Sequence, residues 1–393
     1  MEEEIWKHEY VIGFCGHRWV PYELEESNTT RQLEEWYACK IPYSDDDSSS
    51  PLIKVYPFSP IPFSSVKLFG VRNTHAYGGS RLYTIGGIDP TSDSKIVDPL
   101  DYNIYRLWTL KLDSDGGWKP LPPMNFPRRR FSCSIAFDCK LYVFDGFSSE
   151  FSEICGWMEV YDPISDTWES LPSPPLPVPP FSVRMYAPLE SKQQIVVALL
   201  CDPKWKNFST LFTYNISNRC WTKLAHHFQV QPGYPFSFYR TPVAVGNTLF
   251  WGSVRFDGGY DDIRIHAHAY DLDRDKWLVG SLNVFRRGVK SPILLEDELL
   301  VDKAHTPPLL HLADQKFCLF LHSTNRKHTF HHNKGGNKHD YLNCLILEIS
   351  PPIFDHDDNC TDLDHSSILC LSIVSIHKFP FYDKLSFHDS LLL

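Results

Sequence analysis

Four tryptophans recur along this chain at a spacing that a repeat architecture produces. Trp118, Trp168, Trp221 and Trp277 lie 50, 53 and 56 residues apart. A period near fifty means that each copy is one supersecondary unit, able to bury its apolar faces only by stacking on its neighbours. Three of the four follow a tyrosine by seven places: Tyr161 to Trp168, Tyr214 to Trp221 and Tyr270 to Trp277. Each segment reads as a strand ending at Tyr-Asp or Tyr-Asn, a tight polar turn, and a second strand opened by Trp. Asp and Asn suit that place because their side chains bond to the backbone two residues on, and Pro163 presets φ for the turn. The first copy, Leu110 to Trp118, keeps the turn without the tyrosine.

Ahead of each tryptophan lies a short apolar run: Leu82–Gly87, Leu141–Gly146, Ile195–Leu200 and Leu249–Gly252. These runs are β-branched and aromatic, near-continuously apolar and too short for helices, as expected of strands buried on both faces between two other sheets. A further strand precedes each, for example Phe131–Phe137. Four strands in about fifty residues, with a Gly-Gly signal and a Tyr…Trp signal, make a propeller blade. The chain resembles the kelch-repeat family. The resemblance is carried by Gly86-Gly87 (Asp145-Gly146 and a lone Gly252 in later copies), by the tyrosine–tryptophan spacing, and by Leu171-Pro172 after Trp168. It implies an all-β, kelch-type β-propeller of about six four-stranded blades.

The organisation expected from this reading has three parts. Residues 1–65 contribute strands to a closing blade, 66–355 hold the propeller blades, and 356–393 form a C-terminal tail that supplies at most part of a closing strand. In the first part, 35–39 and 51–56 read as two strands around an acidic turn, and Tyr22–Tyr37 has room for one short helix. Ser291–Leu295 and Glu298–Val301 open a further blade, continued by 317–321 and 342–347. Cys360–Leu393 fits no blade pattern.

Charge and composition narrow the function. The formal net charge of −10 argues against nucleic-acid binding, since phosphate contacts need a basic face. No apolar run approaches the length of a membrane span. The acidic start Met1-Glu2-Glu3-Glu4 is unlike a secretory signal. Eleven scattered cysteines, none in a C-x-x-C pair, then read as reduced thiols, and the expected location is cytoplasmic or nuclear.

An arginine stands shortly before the second strand of each copy: Arg72, Arg130, Arg184, Arg240 and Arg287, with Arg128 and Arg129 beside Arg130. In a four-stranded blade the turn entering the first strand lies on the same side as the turn after the second, where loops on a rigid scaffold carry recognition. Arg72, Arg128, Arg130, Arg184, Arg240 and Arg287 are therefore the candidate binding residues, placed around one channel mouth. They would grip an acidic or phosphorylated peptide through bidentate, charge-assisted hydrogen bonds. The same loops carry Asp89, Asp93, Asp98, Glu150, Glu153, Asp257, Asp261 and Asp262, and pairing with these would neutralise the arginines.

The histidines of 322–339 sit in a Lys- and Gly-rich stretch, and His356, Cys360 and His365 among aspartates. Neither group has metal-ligand spacing on a rigid element. No nucleophile elbow, Walker loop or His-Glu-x-x-His occurs, so no catalytic residue, metal ligand or cofactor is assigned. The kelch resemblance implies a non-catalytic, monomeric platform for a protein partner, with substrate recognition or scaffolding related to ubiquitin-ligase adaptors. The residues before the first clear blade show no amphipathic pattern long enough for an F-box or a BTB module. The alternative carried by the same family is a metal-dependent oxidase. It needs tyrosine, histidine and a cross-linked cysteine converging at the channel mouth, a set that cannot be matched residue by residue here.

Overall fold

The computed structural model describes residues 9–21, 30–42, 56–57, 74–78, 81–85, 107–111, 118–126, 132–145, 156–176, 182–200, 208–229, 241–257, 262–286, 309–324, 340–350, 368–381 and 385–392. The strands among them form six four-stranded antiparallel sheets. Sheet I holds β4 (Thr74–Gly78), β5 (Arg81–Ile85), β6 (Leu107–Lys111) and β7 (Trp118–Pro120). Sheet II holds β8 (Cys133–Phe137), β9 (Lys140–Phe144), β10 (Met158–Asp162) and β11 (Thr167–Leu171). Sheet III holds β12 (Ser182–Leu189), β13 (Gln194–Leu200), β14 (Phe208–Asn215) and β15 (Cys220–Gln229). Sheet IV holds β16 (Val243–Val245), β17 (Thr248–Asp257), β18 (Asp262–Asp271) and β19 (Lys276–Arg286). Sheet V holds β20 (Leu310–Ala313), β21 (Lys316–Thr324), β22 (Asp340–Ser350) and β23 (Cys370–Phe381). Sheet VI joins both ends of the chain in the order β24 (Leu385–Leu392), β1 (Glu9–Pro21), β2 (Thr30–Pro42), β3 (Tyr56–Pro57). Sheets II to V are the four blades whose side-chain packing is described throughout most of their strands.

Two compact units divide the chain. One contains sheets I to III, within residues 58–241, and the other contains sheets IV and V, within 242–392, together with parts of sheet VI. Inside the first unit the leading strands lie side by side, β4 against β8 and β8 against β12; inside the second, β16 packs on β20 and β20 on β24. Four-stranded meanders with neighbouring first strands are the arrangement of a β-propeller.

The second strands of sheets II, III and V are apolar and buried on both faces. On β9, Leu141 and Val143 pack with Tyr83, Met124 and Tyr161, whereas Tyr142 and Phe144 pack with sheet III. On β13 the residues Ile195 to Leu199 are all 0% exposed. At roughly 1.5–3 kcal/mol for each large apolar side chain buried, these strands hold the sheets face to face. In the second unit, Ile265, Ala267 and Ala269 of β18 pack with Leu309, Phe317 and Leu319 of sheet V.

The repeated residues have distinct tasks. Tyr161, Tyr214 and Tyr270 stand directly across from Trp168, Trp221 and Trp277 in the ladders of β10–β11, β14–β15 and β18–β19, with ring centroids 5.0–5.3 Å apart. In sheet I, Leu110 takes the tyrosine's place opposite Trp118. The indole N–H of Trp168 donates to the Pro122 carbonyl at 2.9 Å, and that of Trp221 to the Pro172 carbonyl at 2.8 Å. Trp168 and Trp221 thus tie their sheets to the Leu-Pro that follows the preceding tryptophan. The Asp or Asn after the tyrosine closes the turn. Asp162 accepts from Ile164 N at 2.8 Å, Asn215 from Asn218 N at 3.0 Å, and Asp271 from Asp273 N at 2.9 Å. Five places after the tyrosine the backbone is left-handed, with φ of 55°, 56° and 53° at Asp166, Arg219 and Asp275.

The flanks differ from the sequence reading at Tyr22–Tyr37 and after Cys360. The helix for which Tyr22–Tyr37 has room does not form over its second half, where Thr30–Pro42 is strand β2; its backbone groups pair with β3 at Tyr37 and Ala38. The first strand of sheet V is Leu310–Ala313, while 291–295 and 298–301 lie outside the described residues. The stretch after Cys360, which shows no blade pattern, supplies two strands. β23 pairs with β22 from Cys370 to Phe381, and β24 pairs with β1 from Leu385 to Leu392. Backbone pairing at a sheet edge does not require the alternating pattern that makes a strand legible.

Candidate binding edge

Strand polarity sorts the connections of sheets II to V into two sets. First and second strands throughout, and third and fourth strands in sheets II to IV, are joined by short turns, such as the Asp138-Cys139 turn with φ of 49° and 58°, a hairpin conformation matched to strand twist; in sheet V, at the same edge, β22 ends at Ser350 and β23 starts only at Cys370. At the opposite edge β9 ends at Phe144 and β10 starts at Met158, β13 ends at Leu200 and β14 starts at Phe208, and β21 ends at Thr324 and β22 starts at Asp340. The chain segments joining one sheet to the next leave from this same edge. It is the edge on which the sequence places its arginines.

Of those, Arg72, Arg128, Arg130, Arg240 and Arg287 lie outside the described residues, so among the described residues only Arg184 has a defined place. It sits on β12 at a bulge: Val183 pairs with Leu199 and Met185 with Ala198, leaving Arg184 between them without a ladder partner. A bulge re-aims the extra side chain and twists the strand. Arg184 is half-buried and engaged within the fold, and burial pushes its guanidinium pKa below the usual arginine value. Immediately before it, the Val183 N–H donates to Oδ2 of Asp145 at 3.1 Å, across from sheet II to sheet III. Asp145 occupies the place of the first glycine of the Gly-Gly signal, with φ of 62°. Glycine adopts that conformation freely and Asp tolerates it. Here the exchange adds a carboxylate that fastens the next sheet at this edge.

Next to this edge Gly156 leads into β10 with φ of 149°, and a Cβ there would lie 2.4 Å from the Phe126 ring. The following residue, Trp157, is buried between Phe144 and Trp221, at centroid distances of 5.5 and 5.6 Å.

Sheet IV holds a polar group that the sequence reading did not single out. Arg255 of β17 stands directly across from Arg264 of β18, Ser253 from His266, and Trp251 from His268. Residues opposite one another, and residues two apart on one strand, share a face. The alternation Arg264-Ile265-His266-Ala267-His268-Ala269 was the available signal, one face polar and the other apolar. His268 is 2% exposed; burial first, then the neighbouring His266 and Arg255, push its pKa down to about 4. It is neutral at neutral pH.

Among the described residues no three His, Cys, Asp or Glu side chains are placed to hold a metal ion, and no helix is long and apolar enough to cross a membrane. The histidines of 328–339, with His356, Cys360 and His365, lie outside the described residues. The Cys318 and Cys344 thiols are both buried, with their sulfurs 3.1 Å apart.

Comparison with known proteins agrees with the repeat. Residues 128–175, which span sheet II, match the Kelch motif. A putative F-box/kelch-repeat protein of Arabidopsis thaliana is 38% identical over 91 residues, covering 23% of this chain and 21% of its own length. A second F-box/kelch-repeat protein of that plant is 32% identical over 124 residues, 29% of this chain and 32% of the relative. A third, putative, is 29% identical over 150 residues, 38% of this chain and 36% of the relative. The matched part is thus between a fifth and about a third of each relative.

Proposed function

We propose that this kelch-type β-propeller is a non-catalytic protein-binding platform whose loop edge receives an acidic or phosphorylated segment of a partner. The observation that carries this reading is the division of the blades into two kinds of surface. The faces of sheets II and III are taken up by apolar packing and by the tryptophan and tyrosine contacts, so they act as scaffold. In sheets II and III the edge at which the second strand ends and the third begins carries the longer connection, and the same edge holds Arg184. Loops on a rigid scaffold are where recognition concentrates. Kelch propellers typically serve protein interaction, and the F-box/kelch-repeat relatives favour a role in selecting a target, as substrate recognition related to ubiquitin-ligase adaptors or as scaffolding. Arg72, Arg128, Arg130, Arg240 and Arg287 join Arg184 in the proposed mouth, in a monomeric, cytoplasmic or nuclear protein.

The test compares partner capture by the wild type and by an Arg130→Ala/Arg184→Ala/Arg240→Ala variant, identified by mass spectrometry after thermal unfolding shows that the variant folds. Loss of specific partners supports the arginine mouth. Capture of the same partners by the folded variant refutes it and moves recognition elsewhere.

A further inference from the structure

Sheet IV packs apolar residues along the whole of one face, and on the other at the turn end, where Leu249, Tyr270 and Trp277 lie. Ile265, Ala267 and Ala269 of β18 face sheet V, and a Cβ on Gly252 of β17 would meet Leu309 and Leu319 side chains at 3.2 Å. The other face therefore carries Trp251, Ser253 and Arg255 from β17, and Arg264, His266 and His268 from β18. Two arginines directly opposite on antiparallel strands repel each other, so this pair is a poor choice for stability alone. On the same face lies Ser253, 5% exposed, with no hydrogen-bond partner for its Oγ. Buried hydroxyls are ordinarily bonded, and an unsatisfied one calls for a reason. Ser253 is two residues from Arg255 and directly across from His266.

We propose that this face of sheet IV is a binding site for a compact oxyanion, a phosphoryl or carboxylate group, gripped by Arg255 and Arg264 with Ser253 Oγ as the inner donor. Both arginines already engage groups within the fold. A guanidinium has five N–H donors, so the anion enters as an added acceptor, and bidentate geometry favours it. Arg255 is exposed and opens the site, while Ser281 and Asn283 of β19, exposed opposite His266 and Arg264, flank it. The low pKa of His268, set by burial and then by His266 and Arg255, fits a locally positive field. Arg255 and Arg264 lie close to the ends of β17 and β18 at the loop edge. The site thus rests on the reading of that edge as the recognition edge, and it names the chemical group taken there.

The test titrates the full chain with inorganic phosphate, at ionic strength held constant with chloride, by calorimetry and by thermal unfolding. The wild type should bind phosphate and unfold at a higher temperature with it. Arg264→Gln should weaken the apparent affinity at least tenfold and Ser253→Ala several-fold. Arg219→Gln, on an exposed ion pair of sheet III, should leave it unchanged. If Arg264→Gln does not fold, the exposed Arg255→Gln carries the same expectation. The same phosphate response in wild type and in the folded Arg255 or Arg264 variant overturns the site, as does no response at all. O-phosphoserine binding more tightly than inorganic phosphate assigns the site to a partner's phosphoryl group; equal affinity assigns it to the free anion. A wild type that captures partner proteins without responding to phosphate overturns this site alone. A phosphate response without partner capture overturns the platform reading and leaves the site standing.

Discussion

Replacing Tyr214 by Phe should leave the protein as stable as the wild type or up to about 1 kcal/mol more stable, although its side chain is 1% exposed in the core of sheets II and III. The expectation comes from comparing three copies of one turn. In sheets II and IV the left-handed residue five places after the tyrosine is an aspartate, and it accepts the phenol proton: Tyr161 donates to Asp166 at 2.5 Å, and Tyr270 donates to Asp275. In sheet III that place holds Arg219, a donor only, and the Tyr214 hydroxyl has no hydrogen-bond partner. A buried hydroxyl left unbonded costs about 1–3 kcal/mol, whereas a hydrogen bond to a charged group contributes about 1.5–3 kcal/mol. Tyr161→Phe should therefore cost about 1–2 kcal/mol, the low end because Asp166 is exposed and regains water, while Tyr214→Phe removes only a penalty.

The converse change is Arg219→Asp. It forfeits the bidentate pair that Arg219 makes with Glu169 of sheet II, whose second bond is 3.0 Å. With side chains 52% and 53% exposed, that pair is worth less than about 1 kcal/mol. Asp tolerates the left-handed backbone and supplies the missing acceptor. Urea unfolding of the four proteins (wild type, Tyr214→Phe, Arg219→Asp and both together) should show about 1–2 kcal/mol of favourable coupling between Tyr214 and Asp at 219. A Tyr214→Phe variant destabilised as much as Tyr161→Phe, or a cycle without coupling, would refute the reasoning.

Two further predictions rest on close packing and on burial. Gly280→Ala should destabilise by about 1–3 kcal/mol, read as a lowered urea midpoint, because the new Cβ would lie 2.4 Å from the Leu369 carbonyl where Leu369 N donates to Val279 O at 3.0 Å; an unchanged midpoint refutes that close approach. His268, held near pKa 4 in the fold against about 6.5 unfolded, takes up its proton more readily in the unfolded chain. Its contribution is thus intact above pH 6.5 and is lost as pH falls towards 4, at most about 3 kcal/mol. Equilibrium unfolding between pH 4 and 7 should show this slope, flattened in His268→Asn; a slope that persists in the variant assigns it to other groups.

The repeat was legible because its signals are local. Tyr-Asp, a turn and Trp fall within nine residues, and the apolar runs of β9 and β13 announce burial on both faces without reference to any partner. These residues by themselves determined the all-β class, the blade period and the strands at each copy's centre. The ends of the chain were illegible for the opposite reason. β23 and β24 are recruited by backbone hydrogen bonds to β22 and β1, and backbone groups are the same in every sequence. Of the candidate arginines, sequence could place Arg184 near the edge. It could not show that a bulge sets the residue between two ladder pairs, or that Asp145 fastens the residue before it. Nor does anything in the string Arg219-Cys220-Trp221 tell that a tyrosine hydroxyl lacks its acceptor, or anything in β17 that Arg255 faces Arg264 with Ser253 on the same face. Sequence determined what repeats, since periodicity depends on neighbours along the chain. The tertiary structure alone decided what each copy does differently, since register and burial depend on neighbours across it.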